Sequence, residues 1–389
     1  MNVLFFTHSF PRDDGDAAGS FVLRLAKSLA AEGVGVRVVA PAASGLSAHT
    51  ALDGVEVERF RYAPRRYETL AYGGNMAEQV RDTWSARFTL VGFLGAEFQA
   101  GVRARREFQP SLVHAHWWFP NGLAASWVAR MAGIPLVTTL HGTDVRMARN
   151  VPVSRPAFRH VMQHSAVVTA VSQWLATEAQ SVVSMRAPVV APMPVATDLF
   201  TAGTPSERGT RLLFVGRLTR QKGLDVLIDA FALLPADIGL DVVGAGPERA
   251  ALESRVAERG VADRVRWHGA LRPNELAPFY QRAAAVVVPS NEEGLGLVAV
   301  EAQLCETPVV GFASGGLPDV VQDGRTGVLV SERSAAALAS GIQALLARED
   351  RGLTLGAAGR LHALATFAPE SVAKRYAEIY RTALGHTTT

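Results

Sequence analysis

The chain reads as two Rossmann-like α/β domains, each a doubly wound parallel sheet, and three observations lead there. Its 389 residues give room for two domains of ordinary size. Apolar, β-branched runs alternate with helix-forming stretches, the pattern of parallel strands covered by helices on both faces. The plan also occurs twice. One series fills residues 1–190, a connection rich in Pro, Thr and Gly occupies 191–210, and a second series fills 211–370.

Each element follows from a local pattern. Val3–Phe6 is the opening strand, and AGSFVLRLAKSLAAEG is a helix stopped at Gly33. Val36–Ala40, LVHAHW, LVTTLH and AVVTAV are the further strands of the first series. In the second series RLLFVG leads to a helix from Gly223, and IGLDVVGAG to a helix from Pro247. VRWHG, AAVVVPS, TPVVGF and TGVLV follow as strands. The closing APESVAKRYAEIYRTAL sets Val372, Tyr376, Ile379 and Tyr380 at helical spacing, an amphipathic terminal helix. In such sheets ligands bind beyond the carboxyl ends of strands. Gly19, His141, Gly216, Gly244 and Glu293 lie in or next to strand-to-helix connections, so they are expected around one cleft faced by both domains.

Composition narrows the class. Hydrophobic residues make up 48% and charged residues 19%, an ordinary globular balance, and the net charge of +3 is too mild to argue for nucleic acid. Only three lysines occur, Lys27, Lys222 and Lys374. The single cysteine, Cys305, excludes an intrachain disulfide and reads as a small buried hydrophobe. MNVLFFTHSF lacks a basic n-region, and no apolar run reaches the ~18 residues of a spanning helix. A cytoplasmic protein is expected. The arginines of RFRYAPRR and VRARREF allow an acidic acceptor or peripheral membrane contact, although a solvated basic face is the plainer reading.

The motifs that carry chemistry stand at strand ends. PSNEEGLGLVAVEAQ places Glu293 and Glu301 on either side of Gly294-Leu295-Gly296, with the helix starting at Leu297. Amides at that start point at an anion, and the two carboxylates are placed to accept hydrogen bonds from hydroxyls, which describes a nucleotide sugar. VGRLTRQKG sets Arg217 and Lys222 after a strand, suited to phosphate oxygens. VVGAGPERA opens like a dinucleotide fingerprint, but Arg249 stands where a small residue is needed, so a tight turn is the better reading. Asp14-Gly15-Asp16 could hold a divalent cation or be a polar loop. Gly19 suits a close backbone approach. His114 and His116 share one strand face; without a third ligand they read as wall or core rather than metal ligands. Trp117 and Trp118 could stack on a sugar or pack in the core. His141, with Asp144 just beyond it, ends a buried strand and is a candidate for proton chemistry.

Taken together, the Glu293/Glu301 E-x7-E pair, GRLTRQKG, HGTD, GAGP, GGLPDVVQDGRTGVLV and FAPESVAKRYAEIY resemble, in order and over nearly the whole chain, glycosyltransferase family 4, the retaining GT-B enzymes. The resemblance implies transfer of a sugar from a nucleoside-diphosphate donor to a glycan, lipid-linked or small-molecule acceptor, without metal or bound cofactor. It implies that Arg217 and Lys222 hold the diphosphate and that Glu301 binds the ribose hydroxyls. Glu293 would contact the donor sugar, assisted by amides from Gly294 to Leu297, with Gly216 and Gly244 lining the site. His141 would act at the reacting centre, the Gly19 loop would close over donor and acceptor, and His116, Trp117 and Asp144 would lie near the acceptor. The terminal helix, residues 371–389, would belong with the first domain. Three positions depart from the family pattern. Glu306 stands where glycine is common, Pro194 and Ala196 replace Gly and Asp of the linker, and Ala18-Gly19 replaces Gly-Gly. A sugar-nucleotide epimerase or hydrolase on the same plan is the first alternative. A flavin or nicotinamide oxidoreductase and a silent glycan-binding subunit follow.

Overall fold

The computed structural model describes residues 1–13, 15–73, 76–204, 206 and 208–385. The chain divides into two compact units. Unit 1 runs from Met1 to Pro194 and takes back the segment from Pro369; unit 2 is Val195–Ala368.

Unit 1 contains strands β1 (Asn2–Phe6), β2 (Gly35–Pro41), β3 (His49–Leu52), β4 (Val55–Phe60), β5 (Leu112–His116), β6 (Leu136–Leu140), β7 (Val167–Ala170) and β8 (Val189–Val190). Its helices are α1 (Ser20–Leu29), α2 (Met76–Asp82), α3 (Trp84–Phe108), α4 (Leu123–Ala132), α5 (Thr143–Asn150), α6 (Arg155–His164) and α7 (Gln173–Val182). The strand order is β3-β4-β2-β1-β5-β6-β7-β8. Only β3 and β4 pair antiparallel. That hairpin turns at Asp53-Gly54, both with positive φ (49° and 80°), the dipeptide that two-residue hairpin turns favour.

Unit 2 contains β9 (Arg211–Val215), β10 (Gly239–Val243), β11 (Val265–Gly269), β12 (Ala285–Val288), β13 (Val309–Phe312) and β14 (Gly327–Val330). Its helices are α8 (Leu224–Ala232), α9 (Arg249–Glu258), α10 (Pro273–Arg282), α11 (Leu297–Leu304), α12 (Leu317–Val320), α13 (Ala335–Leu346) and α14 (Leu353–Phe367). All its strands are parallel, in the order β11-β10-β9-β12-β13-β14. On one face of the sheet Leu212, Phe214, Leu240, Val242 and Val310 join Leu227, Ile228, Phe231, Leu338 and Ile342 of α8 and α13 in one buried cluster. Strands buried on both faces need apolar residues at every position, which is why they read as runs rather than alternations.

The last helix, α15 (Pro369–Ala383), buries Val372, Tyr376, Ile379 and Tyr380 and packs on α1, β6 and β7 of unit 1. Within 191–210, described backbone groups find partners in the units. The Ala191 amide donates to Ala170 at 2.9 Å in unit 1; the Val195 amide donates to Phe367 at 3.0 Å in unit 2.

The arginine-rich segments divide: Arg65, Arg66 and Arg106 are exposed, while Arg59, Arg61 and Arg103 make specific contacts. Arg59 is buried, donating to the Pro11 carbonyl at 2.6 Å and the Tyr72 hydroxyl at 2.9 Å. Arg61 pairs with Glu68 at 2.7 Å and Arg103 with Glu58 at 3.0 Å. These three arginines tie β4 to its neighbours.

In both units the order of strands reverses beside the first strand. In unit 1 the switch lies between β1 and β5; in unit 2 it lies between β9 and β12. Ligands of doubly wound sheets bind at such switch points.

Candidate active site

In unit 2 the two switch-point loops are laced together by backbone. The Asn291 amide donates to the Gln221 carbonyl at 2.8 Å, and Gln221 Nε2 donates to the Glu292 carbonyl at 3.1 Å. Gly223, at φ 68°, lies so close to the Pro289 carbonyl that a Cβ would collide with it. This lacing delivers Lys222 to Glu293, Nζ to Oε2 at 2.7 Å, both half-buried. The cation and the carboxylate expected to share a donor thus pair with each other. Arg217 is exposed and, among the described residues, its side chain has no ion-pair partner.

Gly216 and Gly244 act through backbone. The Leu218 amide donates to Ala245 at 3.0 Å, and a side chain on Gly244 (φ 141°) would strike the Gly216 carbonyl. GAGP is therefore a turn interlocked with the GRL loop. Gly315, at φ 61°, abuts the Glu293 backbone, and the Gly316 amide donates to the Glu293 carbonyl at 2.7 Å. Glu293 is held from both sides. Gly296, at φ 95°, turns the chain into α11, whose first amides, Leu297 and Val298, precede the helical ladder. Gly294 lies in the half-buried approach, and Leu295 is buried.

Glu301 projects one turn into α11, and its Oε2 accepts a 2.7 Å hydrogen bond from the hydroxyl of Tyr280. Tyr280 is fully buried on α10; burial, with the nearby Glu301 carboxylate, pushes its phenol far above the ordinary range, so it stays a donor. No spacing in the sequence marks this partner. Cys305 is buried, and burial pushes its thiol up to about 12, an inert hydrophobe. Glu306 holds φ 58°, the left-handed conformation that its missing glycine would take freely.

In unit 1 the residues predicted near the acceptor gather at the β1/β5 switch point and the end of β6. His116 Nδ1 lies 3.2 Å from His141 Nε2. The Trp117 ring stacks on His141, centroids 4.2 Å apart at 32°. Trp117 has φ 66° with ψ 135°, a costly backbone for a bulky residue, which turns its ring onto the histidine. Trp118 is core: it is buried, and its Nε1 donates to the Asp144 carbonyl at 2.8 Å.

Asp144 is a positioning group. Its Oδ1 accepts from the His141 and Gly142 amides at 3.1 and 2.9 Å, and its Oδ2 from the Trp118 amide at 3.3 Å. Burial raises its carboxyl against the opposing pull of those amides. Its oxygens are committed to fixing the strand end that carries His141. Gly19, at φ 71°, caps α1, and a Cβ there would collide with the Ser9 carbonyl; its freedom serves its own loop.

Two members of this cluster were invisible in the sequence. His8 packs on Trp117, centroids 4.5 Å apart, and burial lowers its imidazole to about 4. Asn121 Nδ2 lies 2.8 Å from His8 Nδ1 and donates to the His116 carbonyl at 2.6 Å.

Of Asp14-Gly15-Asp16, Asp14 lies outside the described residues. Asp16 pairs with Arg12 at 2.5 Å and accepts from the Ala18 amide at 3.0 Å. Among the described residues no three His, Cys, Asp or Glu side chains group closely enough to hold a metal.

Known proteins resemble the chain in sequence and in fold. Residues 17–196 match the family model "Glycosyl transferase 4-like domain" and residues 197–362 match "Glycosyl transferases group 1". The D-inositol 3-phosphate glycosyltransferase of Xylanimonas cellulosilytica is 34% identical, the match covering 91% of this chain and 90% of the relative. That of Frankia alni is 32% identical, covering 97% and 98%. The sucrose-phosphate synthase structure from Thermosynechococcus elongatus superposes with a TM-score of 0.80 at 26% identity, covering 99% of this chain and 100% of that one. Anabaena HepE, solved with UDP and glucose, shares the fold with a TM-score of 0.74 at 20% identity, covering 98% and 100%. The chain belongs to glycosyltransferase family 4: it is a hexosyltransferase of the GT-B fold, taking its sugar from a nucleoside-diphosphate donor.

Proposed function

We propose that the enzyme is a retaining, metal-independent glycosyltransferase, and that unit 2 binds the donor. The observation that carries the reading is the Lys222–Glu293 pair laced beside the start of α11, with Arg217 exposed nearby in sequence and Glu301 held by Tyr280. Arg217 and Lys222 take the diphosphate oxygens, the first amides of α11 assist, Glu301 accepts from the ribose hydroxyls, and Glu293 accepts from the sugar. These cations and helix amides supply the positive potential that a divalent ion would otherwise provide, so no metal or other cofactor is required.

In the chemical step the acceptor oxygen forms its bond to the anomeric carbon on the face that the diphosphate leaves. The acceptor proton passes to a departing phosphate oxygen, and charge growing on that group is stabilised by Arg217 and Lys222. Asp144 supports this route by its commitment to three amides, which leaves His141 as the unit 1 side chain proposed for the reacting centre. The name of the relatives makes a phosphorylated cyclitol the first acceptor to assay, followed by other sugar and lipid-linked hydroxyls.

Peripheral membrane contact has support of its own. Trp84, Phe88 and Val91 stand on one side of α3 at 73%, 75% and 70% exposure, with Arg65, Arg66 and Arg87 exposed on and beside that helix. Co-sedimentation with anionic vesicles, lost in Trp84→Ser/Phe88→Ser, checks that reading; equal recovery of both proteins with the vesicles removes it.

The donor assignment is tested by calorimetry with a panel of nucleoside diphosphates. One base should stand out, and Arg217→Ala should weaken it by at least tenfold, the value of a charge-assisted hydrogen bond. Unchanged affinity in Arg217→Ala would remove the assignment.

A further inference from the structure

The polar groups beneath the unit 1 cluster form a continuous column that begins on the terminal helix. Tyr376 of α15 stacks on His114, centroids 5.5 Å apart at 28°. His114 lies against His116 at 4.3 Å and 37°. Phe5 of β1 sets its edge against both, at 4.9 and 5.0 Å. His116 lies beside His141, and Trp117 closes the column over His141.

Hydrogen bonds pin the lower half. His114 Nδ1 is 2.8 Å from the Tyr380 hydroxyl, and its Nε2 is 2.7 Å from Thr139 Oγ1. Thr139 Oγ1 is 2.6 Å from Thr169 Oγ1 and 3.3 Å from the Tyr376 hydroxyl, which donates to the Ala191 carbonyl at 3.2 Å.

Proton counting sets the directions. Burial keeps His114 neutral, so one of its nitrogens is bare. The buried Tyr380 phenol must spend its proton, and His114 Nδ1 is the acceptor beside it. His114 then carries its proton on Nε2 and donates to Thr139, which passes its own to Thr169 or Tyr376. The ring is thus fixed at both nitrogens.

His116 is held differently. Its Nε2 is buried without a partner, leaving Nδ1, next to His141, as its one polar contact. An orphaned buried N–H is rarer than a bare lone pair. The proton therefore sits on His116 Nδ1 and is donated to His141 Nε2. His141 in turn carries its proton on Nδ1. With a single hydrogen bond of its own, the His116 ring owes its orientation to packing against the pinned His114.

We propose that Tyr380, acting through His114 and His116, is a positioning residue for His141, so that the terminal helix sets the ring orientation and the Nδ1–H tautomer of the histidine proposed for the reacting centre. The catalytic consequence rests on the functional reading above; the tautomer itself does not. The chain reaches α15 straight out of unit 2, at Ala368–Pro369, so the residues that pin this column lie on the helix by which it returns to unit 1.

The test is 15N NMR of imidazole-labelled, ligand-free full-length enzyme, together with steady-state kinetics of Tyr380→Phe. Wild type should show His141 with Nδ1 protonated and Nε2 bare. Tyr380→Phe should free His114, move the His141 shifts toward tautomer averaging, and lower kcat about three- to tenfold, the share of one hydrogen bond, with the donor KM held within twofold. Thr139→Val, which removes the partner of the other His114 nitrogen, should act in the same direction and serves if Tyr380→Phe does not fold. Unchanged His141 shifts in a folded variant overturn the relay, whatever happens to kcat. Shifted His141 resonances with wild-type turnover would leave the column standing but overturn its role in transfer.

Discussion

If Lys222 holds the diphosphate as proposed, it must divide itself between that group and Glu293, which makes the two residues separable. Lys222→Ala should weaken both the nucleoside diphosphate and the full donor, and lower kcat, because the leaving group gains charge in the transition state. Glu293→Gln releases the lysine from its 2.7 Å partner. The bare diphosphate should then bind at least as tightly as to wild type while sugar transfer falls; calorimetry beside a transfer assay reads both. Weaker diphosphate binding in Glu293→Gln would contradict the competition. Tyr280 makes the companion case. Tyr280→Phe leaves Glu301 without its 2.7 Å donor and should weaken nucleoside-diphosphate affinity about three- to tenfold, the share of about 0.5–1.5 kcal/mol for one hydrogen bond. An unchanged dissociation constant would show that Tyr280 does not orient Glu301.

Among elements, two carry avoidable costs. Helix α3 buries Glu97 among Phe93, Ala100 and Gly101, with neither carboxyl oxygen hydrogen-bonded. Burial pushes this carboxyl well above the ordinary range, so it stays protonated when folded while the unfolded chain ionises above its usual pKa. Its contribution to stability is therefore largest at low pH and is lost as pH rises toward the folded value. Glu97→Leu should raise stability by about 1–3 kcal/mol, with a larger gain in thermal denaturation at pH 8 than at pH 5. A gain independent of pH would contradict the protonated state. At the end of α11, Glu306→Gly should relieve the left-handed backbone for a gain of about 1 kcal/mol, some 2–4 °C in Tm for a unit of this size. A fall in Tm would show that the Glu306 side chain outweighs its backbone strain.

Across the whole molecule, what was legible in the sequence was what repeats or is spaced. The parallel strands of both units announced themselves as apolar runs, and the E-x7-E pair, the GRLTRQKG loop and the terminal helix were marked by pattern. The β3–β4 hairpin escaped although its Asp53-Gly54 turn was in plain view, because its strands are partly polar. Contacts set by tertiary packing had no local signal. Tyr280 reaches Glu301 from another helix, His8 and Asn121 meet His116 and Trp117 from separate loops, and Asp144 is drawn onto amides by the turn it caps. The Arg59 guanidinium looked like surface charge and is instead a buried strut. Sugar transfer that retains configuration and needs no metal is the central claim. It is tested most directly by proton NMR of fresh product, formed from an α-linked nucleoside-diphosphate sugar in excess chelator. The account predicts undiminished turnover and an α-linkage in the first product observed. A β-linkage, or activity that only a divalent ion restores, would contradict it.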